Sequence, residues 1–345
     1  MSTSANQPDL SMKPVILPRN VGPVPSRSAP QRRRLTISIQ FVAWGLILAT
    51  VAGFAGRVFW IFDLLSHFRV HFFWGLTACA ATLAGIQRRK LAVIPGIFAL
   101  VNAALIVPLY VHGPQPEVGT KTAGFRILSL NLQSTNREFG ALRAYVRQKA
   151  PDVAVFLTVS EDWAAQLEPL GTDYPYHKIF GDPRGGIYGV AIFSRHFLSD
   201  VSPLNLGDGN LAIGAGLIVE SQPVTIFGVH ADSPRSHERT ARRDSQFARL
   251  AEFVARQQFE VVVVGDLNAT SWSEAFSDLL HASKLRDSRP GFGVQASWPA
   301  ALGPMGIAID HCLVSSGIYV KRREAGDTML SDHRPLVVDL TVKAE

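Results

Sequence analysis

Cysteine is nearly absent. Among 345 residues only Cys79 and Cys312 occur, which excludes a disulfide-stapled scaffold and a multi-cysteine zinc or iron–sulfur site. Charge is also scarce: 18% of residues are charged, against about 25% in ordinary soluble chains. Together with a hydrophobic content of 47%, this rules out wholesale disorder and implies that part of the chain avoids water. Acidic residues are rarest at the start. Residues 1–115 carry Asp9 and Asp63 against 11 Lys+Arg, whereas residues 116–345 carry 26 Asp+Glu against 23 Lys+Arg. The excess positive charge therefore sits in the first third. The remainder lacks the bulk positive charge of a general nucleic-acid binder.

What the first third does contain is long apolar runs. Residues 1–34 mix Pro, Ser and basic side chains without hydrophobic periodicity and are expected to form a disordered basic tail. Apolar runs follow from Leu35 to Ala55, from Val70 to Ile86 and from Leu91 to Val111. Each approaches the ~20 residues needed to span a bilayer, so a membrane domain of three transmembrane helices is expected over 35–112. The second run is the weakest, because it is entered through His67, Arg69 and His71. A signal peptide followed by core helices accounts for one such run and not for three in close succession. Arg27 and Arg32–Arg34 precede the first run, and Arg88, Arg89 and Lys90 lie between the second and third. The positive-inside rule places both clusters in the cytoplasm and everything after Val111 on the opposite side. In a bacterium this describes a multi-pass inner-membrane protein with a periplasmic or extracellular C-terminal domain.

After a linker over 113–124 the composition becomes that of an α/β domain. Strands are expected near 126–132, 153–159, 187–194, 224–230, 260–265, 309–315 and 334–341. Helices are expected near 137–149, 161–169, 237–257 and 272–282. Polar residues flank several apolar strands: Asn131, His230, Asp266 with Asn268, the Asp310-His311 pair, and Asp332-His333. One such residue is ordinarily a cap or turn former; five clusters in one domain favour a site assembled from converging strand ends. Asp and Asn oxygens suit a hard cation, Mg²⁺ or Mn²⁺, and imidazoles beside them suit acid–base or electrostatic roles. Arg195 also follows a strand, where a guanidinium either grips a phosphate or pairs on the surface.

The segments SLN (129–131), GVAIFSR (189–195), GVH (228–230), GDLNATSW (265–272), IDHCLVS (309–315) and SDHRPL (331–336) together resemble the endonuclease/exonuclease/phosphatase superfamily. That group includes pancreatic deoxyribonuclease, apurinic endonucleases, inositol-polyphosphate 5-phosphatases and bacterial sphingomyelinases. With its apolar N-terminal runs, the chain is similar to a membrane-anchored bacterial branch. The resemblance covers about 125–342 and implies a four-layer α/β sandwich, two central sheets flanked by helices. It implies that Asn131 and Asp332 serve the metal, that Asp266 orients the attacking water, and that Asn268 contacts the scissile phosphate. His333, oriented by Asp310, would face the phosphate, and His230 would be the second imidazole.

One departure stands out. Members of the superfamily end the second strand with a Glu that is the principal metal ligand, and here Thr158 occupies that position. Glu161 follows three residues later, and alternation points it to the other face; it is expected to open a helix as a first-turn acid. A milder departure is Gln133, where nuclease members often carry an acid. Arg239, Arg242 and Arg243 are expected on a solvated helix face, Trp272 and Trp298 lie in motif loops, and Cys312 is expected inside a strand. The expected function is divalent-metal-dependent hydrolysis of a phosphodiester or phosphomonoester, on a lipid headgroup or nucleic acid. The anchor favours a lipid headgroup by raising its effective concentration. The alternative, motivated by Thr158, is a weak or inactive domain that binds a phosphorylated ligand or an envelope partner. No protein partner is identifiable from the sequence.

Overall fold

The computed structural model describes residues 29–113, 115, 122–207, 211–327 and 331–343. The expected tail lies outside these residues up to position 28, and the expected linker falls largely on undescribed positions. The first strands are β1 (Thr122–Asn131), β2 (Val153–Val159), β3 (Tyr176–Phe180), β4 (Gly189–Ser194), β5 (Leu198–Leu204) and β6 (Ala212–Val219). The others are β7 (Gln222–His230), β8 (Glu260–Asp266), β9 (Arg286–Asp287), β10 (Asp310–Val314), β11 (Ile318–Ala325) and β12 (Leu336–Lys343). They form two sheets of six, in the orders β11-β12-β1-β2-β4-β3 and β5-β6-β7-β8-β10-β9.

Alternation along the strands explains the layers. Ile127, Val155, Ile192, Ile226, Val262 and Cys312 face inward and pack sheet against sheet. Leu128, Phe156 and Phe193 point outward beneath helices Phe139–Lys149 and Glu161–Leu167. On the other side Phe227, Val261 and Leu313 meet helices His237–Ala255 and Glu274–Ser283. Each sheet is thus apolar on both faces, and the four-layer α/β sandwich is as expected. At one end the sheets approach closely: a Cβ on Gly228 would lie 2.6 Å from Val155 Cγ1 in the opposite sheet. Gly265 has φ +143°, a conformation that suits glycine.

The N-terminal helices are α1 (Ala29–Ala52), α2 (Trp60–Ser66), α3 (Arg69–Gly85) and α4 (Arg89–Ile106). Because α1 begins at Ala29, Arg32–Arg34 belong to its first turns rather than to a tail. Two helical segments are long and apolar enough to cross a membrane, Pro30–Ala52 and Arg89–Tyr110. The second expected span, Val70–Ile86, falls short. Its helix has 17 residues, about 25 Å at 1.5 Å per residue, less than the ~30 Å hydrocarbon core. Arg69 Nη1 donates to the Thr50 carbonyl at 2.7 Å and Leu46 lies against Gly75, so α1 and α3 run antiparallel. Asn102 Nδ2 on α4 donates to Thr50 Oγ1. The C-terminal ends of α1 and α4 therefore lie together, and the basic clusters at 32–34 and 88–90 share the far end.

The near end is bonded to the sandwich. Asp63 accepts a hydrogen bond from Ser273 Oγ (2.8 Å) and pairs with the buried Arg243 (3.0 Å). Trp272 Nε1 donates to the Leu105 carbonyl, and the Gly291 and Gly293 amides donate to that of Leu109. Arg57 meets Glu274 and Asp278. Two expectations change as a result. Arg243 is 1% exposed rather than part of a solvated face, because the helical unit covers it. Trp272 is a docking residue.

Candidate active site

The site lies where both sheets end. β1 and β2 are parallel, as are β7 and β8, so Asn131, Thr158, His230 and Asp266 emerge at the same end of the sandwich. β10 runs antiparallel to β8 and places its first residue, Asp310, opposite Asp266. The loop before β12 brings in Asp332 and His333. A cavity of about 490 Å³ is lined by Asn131, Thr158, His230, Asp266, Asn268, Asp332 and His333, among others.

Asp266 is central. Its Oδ2 accepts from Asn131 Nδ2 at 3.0 Å and lies 3.6 Å from both His333 Nε2 and His230 Nε2. Its Oδ1 accepts the Asn268 amide at 2.9 Å, while Asn268, at φ +49°, donates its Nδ2 to the Ala231 carbonyl. Burial pushes the Asp266 carboxyl up to about 7, against the opposing pull of His333. His333 Nδ1 meets Asp310 Oδ2 at 2.9 Å. Burial opposes a charge on His333, but Asp310 and Asp266 outweigh it and raise the imidazole to about 9. The same pairing holds the Asp310 carboxyl below its ordinary value despite burial. His230, without a comparable partner, is pushed down to about 4 by burial, with His333 adding to the effect. The two imidazoles are thus driven apart, one cationic and one neutral at pH 7.

Ligand atoms of Asp266, Asp310 and His333 lie within 4.8 Å of one another, a cluster able to hold a metal ion. Asn131 adjoins it through Asp266, and Asp332 lies beside the same cavity, its Oδ2 accepting from Trp298 Nε1 at 3.2 Å. Gln133 links the two loops by accepting the Asp332 amide. This donor set is mostly hard oxygen, the chemistry of Mg²⁺ and Mn²⁺ rather than of a thiolate metal.

Arg195 is not part of the site. β4 runs antiparallel to β2, with Ser194 opposite Val153, so Arg195 emerges beside Asp152 at the wrong end of the sheet. Its distance from Thr158 along the strand is roughly 20 Å at ~3.3 Å per residue. There its guanidinium lies over the Tyr174 ring. Thr158 does reach the cavity, at φ +59°, with Oγ1 3.3 Å from His230 Nδ1. Positive φ is unusual for a β-branched residue and marks a bulge in the β2–β4 pairing. Glu161 is exposed in the first turn of its helix, which Ser160 caps. Cys312 is buried in β10 as expected.

Among the cavity residues that sequence reasoning missed are Leu64, His67 and Phe68, from the helical unit, and Ile187 and Tyr188 from the sandwich. The available signal was the break in apolar patterning around Asp63 and His67.

The Endonuclease/Exonuclease/phosphatase family model matches residues 128–333. No curated protein matches the chain. Among solved structures, the endonuclease/exonuclease/phosphatase from Beutenbergia cavernae DSM 12333 is similar with a TM-score of 0.53 and 18% identity, covering 64% of this chain and 72% of that one. A family protein from Bacteroides thetaiotaomicron gives 0.54 and 16%, over 65% and 100% of the respective chains. D. rerio TDP2 complexed with single strand DNA product gives 0.55 and 13%, over 63% and 98%. At these identities the likeness is one of fold. Because the family match spans more than half of the chain and the sandwich carries the converging Asp, Asn and His residues, this protein belongs to the endonuclease/exonuclease/phosphatase family.

Proposed function

We propose that the chain is a membrane-anchored phosphoesterase, dependent on Mg²⁺ or Mn²⁺, that hydrolyses a phosphodiester or phosphomonoester outside the cytoplasm. Lipid headgroups and nucleic acid are the two substrate sources considered. Members of the family are generally divalent-metal-dependent hydrolases of phosphate esters. The observation that carries the reading is Asp266, whose Oδ2 lies 3.6 Å from the Nε2 atoms of both His230 and His333, beside the Asp310–His333 pair.

Asn131 and Asp332 would hold the cation next to Asp266, and the cation would supply positive charge to the phosphate oxygens. The remaining work falls to the chain itself. Asp266, with a carboxyl near 7, accepts the proton of the attacking water. His333, kept cationic by Asp310, opposes the negative charge that develops on phosphorus-bound oxygen. His230 stays neutral, its Nε2 3.6 Å from the same Asp266 oxygen. Asn268 is pinned through its backbone and one amide proton, which leaves its second amide proton to donate to the phosphate.

Anchoring is supported by the two long apolar helices. The orientation is supported by the basic clusters at the end of the helical unit away from the sandwich. A second reading, a domain that binds a phosphorylated ligand with little turnover, is favoured by Thr158 at the cavity where the superfamily carries Glu. Assay of the purified full chain against bis(p-nitrophenyl) phosphate, with Mg²⁺, Mn²⁺ or EDTA, separates the two. Metal-dependent hydrolysis lost in Asp266→Asn supports the first; phosphate binding without hydrolysis supports the second.

A further inference from the structure

The catalytic cavity is not built by the sandwich alone. Leu64 on α2, with His67 and Phe68 in the turn before α3, lines the same space as Asp266 and His333. Three contacts fix this turn and α2 to the loop that follows β8. His67 Nδ1 lies 3.0 Å from Thr270 Oγ1 and also accepts the Thr270 amide, and Asp63 accepts from Ser273 Oγ. Facing the turn from the sandwich are Ile187 and Tyr188. The cavity therefore has a floor of carboxylate, amide and imidazole, and an apolar wall. Phe68 and Ile187 are each 38% exposed. Val58 and Phe59 in the α1–α2 connection and Ile61 on α2 are exposed apolar residues of the same helical unit.

The geometry points to an amphiphilic phosphate ester as the substrate, its phosphate over Asp266 and His333 and its hydrocarbon chain along Leu64 and Phe68. This inference rests on the phosphoesterase reading above. Continuity carries the choice: the apolar wall belongs to the same cavity as the charged floor, and Leu64 and Phe68 in it come from the unit that carries the apolar helices. A polynucleotide calls for a cationic groove. Residues 116–345 are net acidic; of the two arginines that line the cavity, Arg239 is paired with Asp232 and Arg235 is exposed, which is too little positive charge to make such a groove. An apolar chain needs no such groove. Each fully buried methylene tightens binding roughly fourfold.

The test uses alkylphosphonates, which cannot be hydrolysed as esters. Ethylphosphonate and octylphosphonate are titrated calorimetrically into the full chain in phosphatidylcholine nanodiscs, with heats corrected against empty nanodiscs. The expected result is octylphosphonate binding at least tenfold tighter, with the difference collapsing when Leu64→Asp and Phe68→Asp are combined. Equal affinities in the parent chain would overturn the inference while leaving the phosphoesterase reading intact. Tighter binding of a single-stranded oligonucleotide than of octylphosphonate at the same site would also overturn it. If neither phosphonate nor inorganic phosphate binds, the phosphoesterase reading itself fails and this inference falls with it.

Discussion

Replacing Asp310 by Asn removes one charge and little volume from the most consequential pair in the site. His333 Nδ1 lies 2.9 Å from Asp310 Oδ2, and its Nε2 lies 3.6 Å from Asp266. The imidazole is raised to about 9, against an ordinary value of about 6.5. That difference corresponds to a preference for the imidazolium on the order of 3 kcal/mol. His230 supplies an internal control: it stands at the same 3.6 Å from Asp266 without a bonded carboxylate, and burial takes it to about 4. In Asp310→Asn, His333 should therefore drop below 6.5, toward the behaviour of His230. The sign of the stability effect follows. A raised folded-state pKa contributes stability that is complete below about 6.5 and is lost as pH rises through about 9. The parent chain should accordingly weaken across that window, and the variant should lose this dependence. Histidine-selective NMR titration of EDTA-treated protein reads the protonation directly, and denaturant midpoints between pH 6 and 10 read the linkage. A His333 that still titrates near 9 in the variant would refute the argument.

Other consequences are testable in the same preparations. Asp266→Ala and His333→Ala should each lower phosphodiester turnover about 10²-fold, the scale of losing an acid–base group; near-parental rates in both would place the chemistry elsewhere. Thr158→Glu should tighten Mg²⁺ binding by calorimetry and raise the rate, because a carboxylate is the better ligand for a hard cation; unchanged binding would show that another acid serves. Asp63→Asn should destabilise the chain by about 3 kcal/mol, the lower part of the range for breaking a buried ion pair, since Asp244 remains 2.7 Å from Arg243. An unchanged thermal midpoint would argue against that docking contact. A reporter that is active only in the cytoplasm, fused after Glu345, should stay silent; a signal would reverse the proposed orientation.

The central strands were legible because they are apolar on both faces: β2 and β8 read as short unbroken runs. The strands that escaped are of another kind. β5 (LSDVSPL) and β11 (IYVKRREA) edge their sheets and carry polar side chains toward solvent, while β6 is interrupted by two glycines. Their pairing comes from neighbours distant in sequence rather than from local pattern. The site was legible where chemistry follows a strand, as at Asn131, His230 and Asp266. Arg195 fits the same pattern and fails, because a strand end does not reveal which way its strand runs. The short α2 also escaped, since its seven residues give too little periodicity and Asp63 and His67 look like interruptions of an apolar stretch. Their partners, Arg243 and Thr270, lie some two hundred positions away, beyond the reach of local patterning.

The contacts of Asp63, His67 and Leu105 with the loop at 270–273 bear on how the catalytic domain can be studied. Cutting the chain after the helical unit would leave Arg243 without its buried counter-ion, the Thr270 amide and Trp272 Nε1 without their acceptors, and one side of the cavity open. Water would replace those partners, but the loop that begins at Asp266 would lose the framework that holds it. Such a fragment can retain both sheets and still bind ligands differently, because the cavity residues Leu64, His67 and Phe68 have been removed. The helical unit, by this logic, is a component of the site rather than an appendage to it, and kinetic work belongs with the intact chain.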